Sequence, residues 1–179
     1  AAASRLVCGS LKPFHDLEAA LAAFKGAEAC LTFSTGYAAA LGTVPALVGR
    51  DDVVIIDKRV HACLVDAARL SGAKLRVFKH NDLADLERIL QWNRSRVTHH
   101  ASRCLVITES VFSMDGDVAP LRDIVELKER HGAWLLVDEA HATGLFGARR
   151  SGLIGHLGLS GHVEVQMGTL GKAVGAAGG

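Results

Sequence analysis

The chain has 179 residues, 20 Lys plus Arg against 19 Asp plus Glu, a net charge of +1 and 49% hydrophobic content. That length suits one ordinary domain or a large part of one, and the composition excludes a disordered or fibrous chain. A near-neutral balance with 5% aromatics gives no electrostatic or stacking case for nucleic acid or an anionic membrane as the main partner.

The chain begins Ala1-Ala2-Ala3 without Met and stops at Gly178-Gly179, so we read it as an excerpt of a longer polypeptide with no signal peptide. Phe14, Leu17, Leu21 and Phe24 follow a helical period that Gly26 ends. Residues 31–33 read as a short buried strand, followed by a turn at Ser34-Thr35-Gly36 and a helix from Tyr37 to about Leu47. The stretch 29–49 carries no formal charge and is long enough to span a bilayer. Thr32, Ser34, Thr35, Gly36, Gly42, Thr43 and Pro45 inside it favour the strand, turn and helix instead.

Val53-Val54-Ile55-Ile56 is a β-branched run of the kind buried on both faces of a sheet. A helix over 61–70 ends at Gly72, and a strand follows at 75–78. Asn81 can cap a helix carrying Leu83, Leu86 and Leu90. Residues 95–103 read as a solvated basic loop, with His99-His100 at the surface rather than on a metal. Further strands are expected at 105–107, 134–137 and 163–167. Pro120 suits the first position of a helix striped by Leu121, Ile124 and Val125 and ended by Gly132. Cys8, Cys30, Cys63 and Cys104 have neither metal nor redox spacing and point to a reduced, cytoplasmic chain.

Alternating strands and helices imply an α/β fold with a mostly parallel sheet flanked by helices. Ligands in such sheets bind at the carboxyl ends of strands. That rule singles out residues 34–37, 57–61, 108–117, 138–141 and 168–172. Gly168-Thr169-Leu170-Gly171-Lys172-Ala173 is not a P-loop, because too few residues separate the glycines and Ala173 follows the lysine. Two readings of Lys172 stand: a lysine that forms a Schiff base, or an ordinary lysine in a Gly-rich loop. Asp138, leaving a buried strand, should seek a cationic partner, which a protonated pyridine nitrogen would supply. His141 could reach an oxygen of the same ring. The rivals are a metal site built on Asp138 and His141, which lacks a third ligand nearby in sequence, and a plain capped strand end. Amides at Gly36 and Tyr37, opening a helix, suit a phosphate, to which Thr169 could add a hydroxyl. His61 could lie flat on an aromatic ring or merely cap a helix.

Taken together and in order, several segments resemble the α-oxoamine synthase family of pyridoxal-phosphate (PLP) enzymes. They are Ser4-Arg5-Leu6-Val7-Cys8-Gly9, His15-Asp16-Leu17-Glu18, Phe33-Ser34-Thr35-Gly36-Tyr37-Ala38-Ala39, His61-Ala62, Phe112-Ser113-Met114-Asp115-Gly116-Asp117, Asp138-Glu139-Ala140-His141-Ala142-Thr143-Gly144 and Gly168-Thr169-Leu170-Gly171-Lys172. The resemblance implies the aspartate-aminotransferase type of fold (fold type I). Residues 1–179 would form most of its large PLP-binding domain, with an N-terminal segment and a small C-terminal domain outside.

It implies that Lys172 carries the cofactor and moves the substrate's α-proton, and that Asp138 keeps the ring nitrogen protonated. His141 would bond the ring hydroxyl oxygen, and His61 would stack on the ring. Gly36, Tyr37 and Thr169 would hold the phosphate, while Ser113 and Glu109 would support the site. The implied reaction is a decarboxylating condensation of an amino acid with an acyl-CoA or acyl-carrier-protein thioester, in a homodimer whose site lies at the subunit interface.

Within that family the segment 109–121 most resembles members whose substrates are alanine and a pimeloyl thioester, which implies that pair here, with glycine and a short acyl-CoA as the alternative. Departures from the common family pattern occur at Ala40, where Asn is frequent, at Asp66, where Glu is frequent, and at Tyr37, where Phe is also common. An inactive regulatory subunit would usually lack the lysine, and a metal-dependent hydrolase would leave Lys172 without a role.

Overall fold

A computed structural model describes residues 5–96 and 102–179. Five strands form one all-parallel sheet: β1 (Val53–Asp57), β2 (Lys74–Phe78), β3 (Cys104–Glu109), β4 (Trp134–Asp138) and β5 (Val165–Met167), in the order β2-β1-β3-β4-β5. The helices are α1 (Arg5–Cys8), α2 (Lys12–Lys25), α3 (Gly36–Leu47), α4 (Ala62–Leu70), α5 (Leu83–Arg96), α6 (Leu121–His131) and α7 (Leu153–His156).

The handedness of parallel crossovers distributes these helices. The step from β1 to β2 runs one way along the sheet, and the steps from β2 to β3 and β3 to β4 run the other. Right-handed connections therefore put α4 on one face and α5 and α6 on the opposite face. Accordingly α3 packs against α4, and α5 against α6. β1 and β3 are buried along their whole length, as their Val, Ile and Leu runs demand. β2, at the edge, buries only Phe78.

Several local expectations change. Residues 31–33 form no strand of the sheet: Leu31 is 69% exposed, and Phe33 instead exchanges backbone hydrogen bonds with Gly179 at 2.8 and 3.1 Å. The first side chain to cap α5 is Asp82, whose carboxylate accepts from the Asp85 amide at 2.9 Å. Asn81 instead takes a left-handed backbone, with φ 52°. α5 continues through Ser95 and Arg96, so the basic segment starts inside a helix. His99, His100 and Ser4 lie outside the described residues. Pro120 is the residue before α6 rather than its first.

α2 has its expected helical course, but the residues it buries are Glu18 and Ala22. Glu18 is drawn inward because Arg5 pairs with it at 2.8 Å and the Thr32 amide donates to it at 2.7 Å. The uncharged stretch 29–49 contains only the short helix α3. Among the described residues no helix is long and apolar enough to cross a membrane.

Candidate active site

The strand order reverses between β1 and β3, and the crevice at their carboxyl ends is where a doubly wound sheet leaves room for a ligand. Glu109 and Asp138 end β3 and β4 in register with each other. Both are almost wholly inaccessible, so two carboxylates share a poorly solvated strand edge. Burial pushes the Glu109 carboxyl up to about 7, and the charge of Asp138 adds to that; amides of His61 and Ser113 oppose it by donating to Glu109. Burial also pushes Asp138 upward, opposed by the Ala140 amide that donates to its Oδ1 at 2.8 Å and by the charges of Lys172 and His61. Among the described residues no cationic side chain makes an ion pair with Asp138.

A cavity of about 210 Å³ opens above it, lined by Gly36, Tyr37, His61, Cys63, Glu109, Asp138, Ala140, His141, Met167, Thr169 and Lys172. One wall is the start of α3. Thr35 caps it, accepting from the Ala38 amide at 3.0 Å, and the first two helical amides, Gly36 and Tyr37, have no acceptor within the helix. Lys172 donates to Thr169 Oγ1 at 3.1 Å, which brings the ammonium to the same end of the cavity.

Across from them His61 precedes α4. Its Nδ1 accepts from the Cys63 amide at 3.2 Å, and its own amide donates to Glu109 at 2.5 Å. His141 lies one turn beyond Asp138. Burial and the nearby charges of Lys172 and His61 lower its pKa and favour the neutral ring. Burial raises the Cys63 thiol to about 11, assisted by Asp138 and Glu109, so it stays protonated and is not a nucleophile here.

Eight of the nine residues expected in the site thus line one cavity: Gly36, Tyr37, His61, Glu109, Asp138, His141, Thr169 and Lys172. Ser113 does not. It is exposed outside the cavity and reaches the site only through its backbone amide on Glu109. Its place on a hairpin rather than on a strand end is the reason. Cys63, Ala140 and Met167 are additional lining residues that no chemistry in the sequence marked. Among the described residues no group of three or more His, Cys, Asp or Glu is placed to hold a metal ion, so Asp138 and His141 find no third ligand.

Two ion-pair networks outside the cavity also escaped the sequence reading, although Asp57 and Asp117 lie at strand exits it singled out. One joins Lys25 to Glu139, and the other joins His80 to Asp57 and Asp117. His80 sits at the exit of β2, where extending the strand-exit rule to this strand would have found it. Lys25 lies far from Glu139 in sequence and gave no local signal.

Gly36 approaches Thr169 so closely that an added Cβ would lie 2.4 Å from the threonine methyl. If the cavity is the PLP site that the sequence resemblance implies, Gly36→Ala is expected to move α3 and Thr169 apart and weaken cofactor binding by about tenfold or more, a loss of roughly 1.4 kcal/mol or more. Fluorescence titration of the cofactor-free protein checks this, and unchanged affinity would show that the close approach does not matter.

The elevated Glu109 pKa sets a pH dependence. The folded state binds this proton more tightly than the unfolded chain does. Its contribution is therefore fully present below the ordinary value of 4.5 and is lost as pH rises through about 7. Cofactor-free wild-type protein should lose denaturant resistance over that window, and Glu109→Gln should flatten the loss. Parallel pH profiles for the two proteins would refute the assignment.

Residues 1–179 match the family described as aminotransferase class I and II. The chain belongs to that family. It is 46% identical over 176 residues to an 8-amino-7-oxononanoate synthase from Pelobacter propionicus, covering 98% of this chain and 44% of that protein. Its fold matches a serine palmitoyltransferase variant from S. paucimobilis with bound PLP–myriocin aldimine at a TM-score of 0.89 and 37% identity, over 98% of this chain and 44% of that one. It also matches the 8-amino-7-oxononanoate synthase from Francisella tularensis at a TM-score of 0.79 and 30% identity, over 94% and 47% of the two chains. The fold is that of fold type I PLP enzymes, and the chain spans less than half the length of these relatives.

Proposed function

We propose that this chain is most of the large domain of a PLP-dependent α-oxoamine synthase, a cytoplasmic homodimer that condenses an amino acid with an acyl thioester and releases CO₂. Alanine and a pimeloyl thioester, giving 8-amino-7-oxononanoate, are the substrates this reading favours. The observation that carries it is the buried Asp138 carboxylate, which makes no ion pair among the described residues, lining the cavity that also holds Lys172.

PLP fits the residues present. Its pyridinium supplies the positive charge that Asp138 lacks, its phosphate suits the free amides of Gly36 and Tyr37 with the Thr169 hydroxyl, and its aldehyde carbon suits the Lys172 amine. His141 would bond the ring hydroxyl oxygen and His61 would cover the ring face. Ser113 would act from outside the cavity, through Glu109. When bound, PLP supplies an electron sink for the substrate's α-carbon.

The rest belongs to the chain. Lys172 Nζ would take the α-proton of the bound amino acid, and Thr169 Oγ1, to which it donates, would orient it. Asp138 holds the ring proton in place while charge moves. The net reaction would join the α-carbon to the acyl carbon of the thioester, release the thiol with the proton taken from the α-carbon, and exchange the carboxylate, lost as CO₂, for a proton from water.

The full-length protein should release free thiol only when amino acid and thioester are both present. Transamination without a thioester would refute the reading. Serine with a long acyl thioester is a second reading, favoured by the fold match to serine palmitoyltransferase. A panel of amino acids and thioesters separates the two, because the pair with the highest kcat/KM identifies the enzyme.

Lys172 is the expected attachment point. Borohydride reduction of the loaded protein followed by peptide mapping should place the pyridoxyl label there. A label on another lysine overturns the assignment.

A further inference from the structure

His80 leaves β2 with a carboxylate at each ring nitrogen. Nδ1 lies 2.9 Å from Asp57 Oδ1, and Nε2 lies 2.5 Å from Asp117 Oδ2. A ring with an acceptor at both nitrogens carries a proton on both, and so is an imidazolium. Asp57, fully buried, also accepts from the amides of Arg59 at 2.7 Å and Asn81 at 2.9 Å. The left-handed backbone of Asn81 accompanies this contact, and its side chain donates to Asp117 at 3.0 Å. Phe112, 2% exposed, meets the imidazole edge-on with ring centroids 4.4 Å apart.

The two carboxylates stand on different segments. Asp57 begins the loop from β1 to His61. Asp117 belongs to a hairpin of residues 110–119, closed by Phe112–Asp117 and Ala119–Ser110 backbone hydrogen bonds and turned at Gly116, with φ 70°. Both segments converge on Glu109, which accepts from the His61 amide on one side and from the Ser113 amide on the other. His80 and Asp117 do not line the cavity. Arg59 and Asp115 also pair across the two segments, but both are about half exposed, and such pairs contribute little.

We propose that His80, bridging Asp57 and Asp117 as an imidazolium, is the positioning residue that sets His61 against the cofactor cavity, acting through the 110–119 hairpin and Glu109. This rests on the reading of that cavity as the PLP site. The charged groups that face His80 are Asp57 from β1 and Asp117 from the hairpin.

Nitrogen-15 NMR of the full-length wild-type protein at neutral pH should show His80 protonated at both ring nitrogens. A neutral ring with one bare nitrogen overturns the proposal. In cofactor-free His80→Gln, and in Asp117→Asn should the first variant not fold, amide exchange should accelerate by about tenfold or more over residues 58–64 and 110–119 and stay unchanged in β3 and β4. Unchanged exchange in those two segments, or uniform acceleration everywhere, overturns it.

In loaded enzyme, His80→Gln should lower kcat by roughly tenfold, and the same change in a His61→Ala background should cost less than about twofold, because the two residues act through one path. Additive losses overturn the coupling. If wild-type protein turns over no substrate pair, the functional reading fails, while the NMR and exchange results still decide the role of His80.

Discussion

Asp138→Asn in the full-length protein should lower turnover by about a hundredfold or more while leaving PLP bound, since preorganised electrostatic contacts of this kind are worth about 3 kcal/mol or more. The substitution keeps the shape and the contact with the Ala140 amide but removes the charge. Burial already disfavours the ionised carboxylate, so its charge persists only opposite a cation. On the proposed reading a pyridinium is that cation, and without Asp138 the ring nitrogen would lose its proton and with it most of its capacity to draw electrons from the substrate. Steady-state thiol release and the visible spectrum of the loaded variant measure the two halves of the expectation. Turnover within a fewfold of wild type would mean that Asp138 does not hold the ring proton.

Lys25→Ala should destabilise the protein by about 3–5 kcal/mol, the usual result of stranding one member of a buried ion pair. Lys25 Nζ lies 2.5 Å from Glu139 Oε2 and 2.6 Å from the Ser151 carbonyl oxygen. Glu139 is fully buried, and its other oxygen accepts from the Ile154 amide at 2.8 Å. Without the lysine that carboxylate keeps its backbone donor but loses its counter-ion. Gly152 leaves no slack, because a Cβ there would lie 2.3 Å from Glu139.

Glu139 sits between Asp138 and Ala140, so the loss should also loosen the loop that carries His141. Urea unfolding of the cofactor-free protein gives the stability change. Lys25→Arg, which keeps the charge, should recover part of it. A loss below about 1 kcal/mol would show that the pair is solvated enough to be dispensable.

What was legible in the sequence follows from local periodicity and from strand ends. The β-branched run at 53–56 and the apolar runs at 105–107 and 134–137 can only be strands covered on both faces, which requires a parallel sheet. Active groups then belong at the carboxyl ends of the strands: Glu109 and Asp138 end β3 and β4, His141 follows β4, and Thr169 and Lys172 follow β5. The order of motifs from Gly36 to Lys172 did the rest, because each local signal was ambiguous and only the set was specific.

The tertiary structure decided matters that depend on partners distant in the chain. Phe33 pairs with Gly179 rather than joining the sheet, so the Leu31-Thr32-Phe33 segment that reads as a strand is a strap. Ser113 acts through its amide because a hairpin turns it out of the cavity. Lys25 and Glu139 are 114 positions apart, and His80 is 23 positions from Asp57 and 37 from Asp117. Charged residues at such separations read as solvated surface until folding removes the water around them. It is the lost solvation that turns them into obligatory pairs, and no local pattern in the sequence records it.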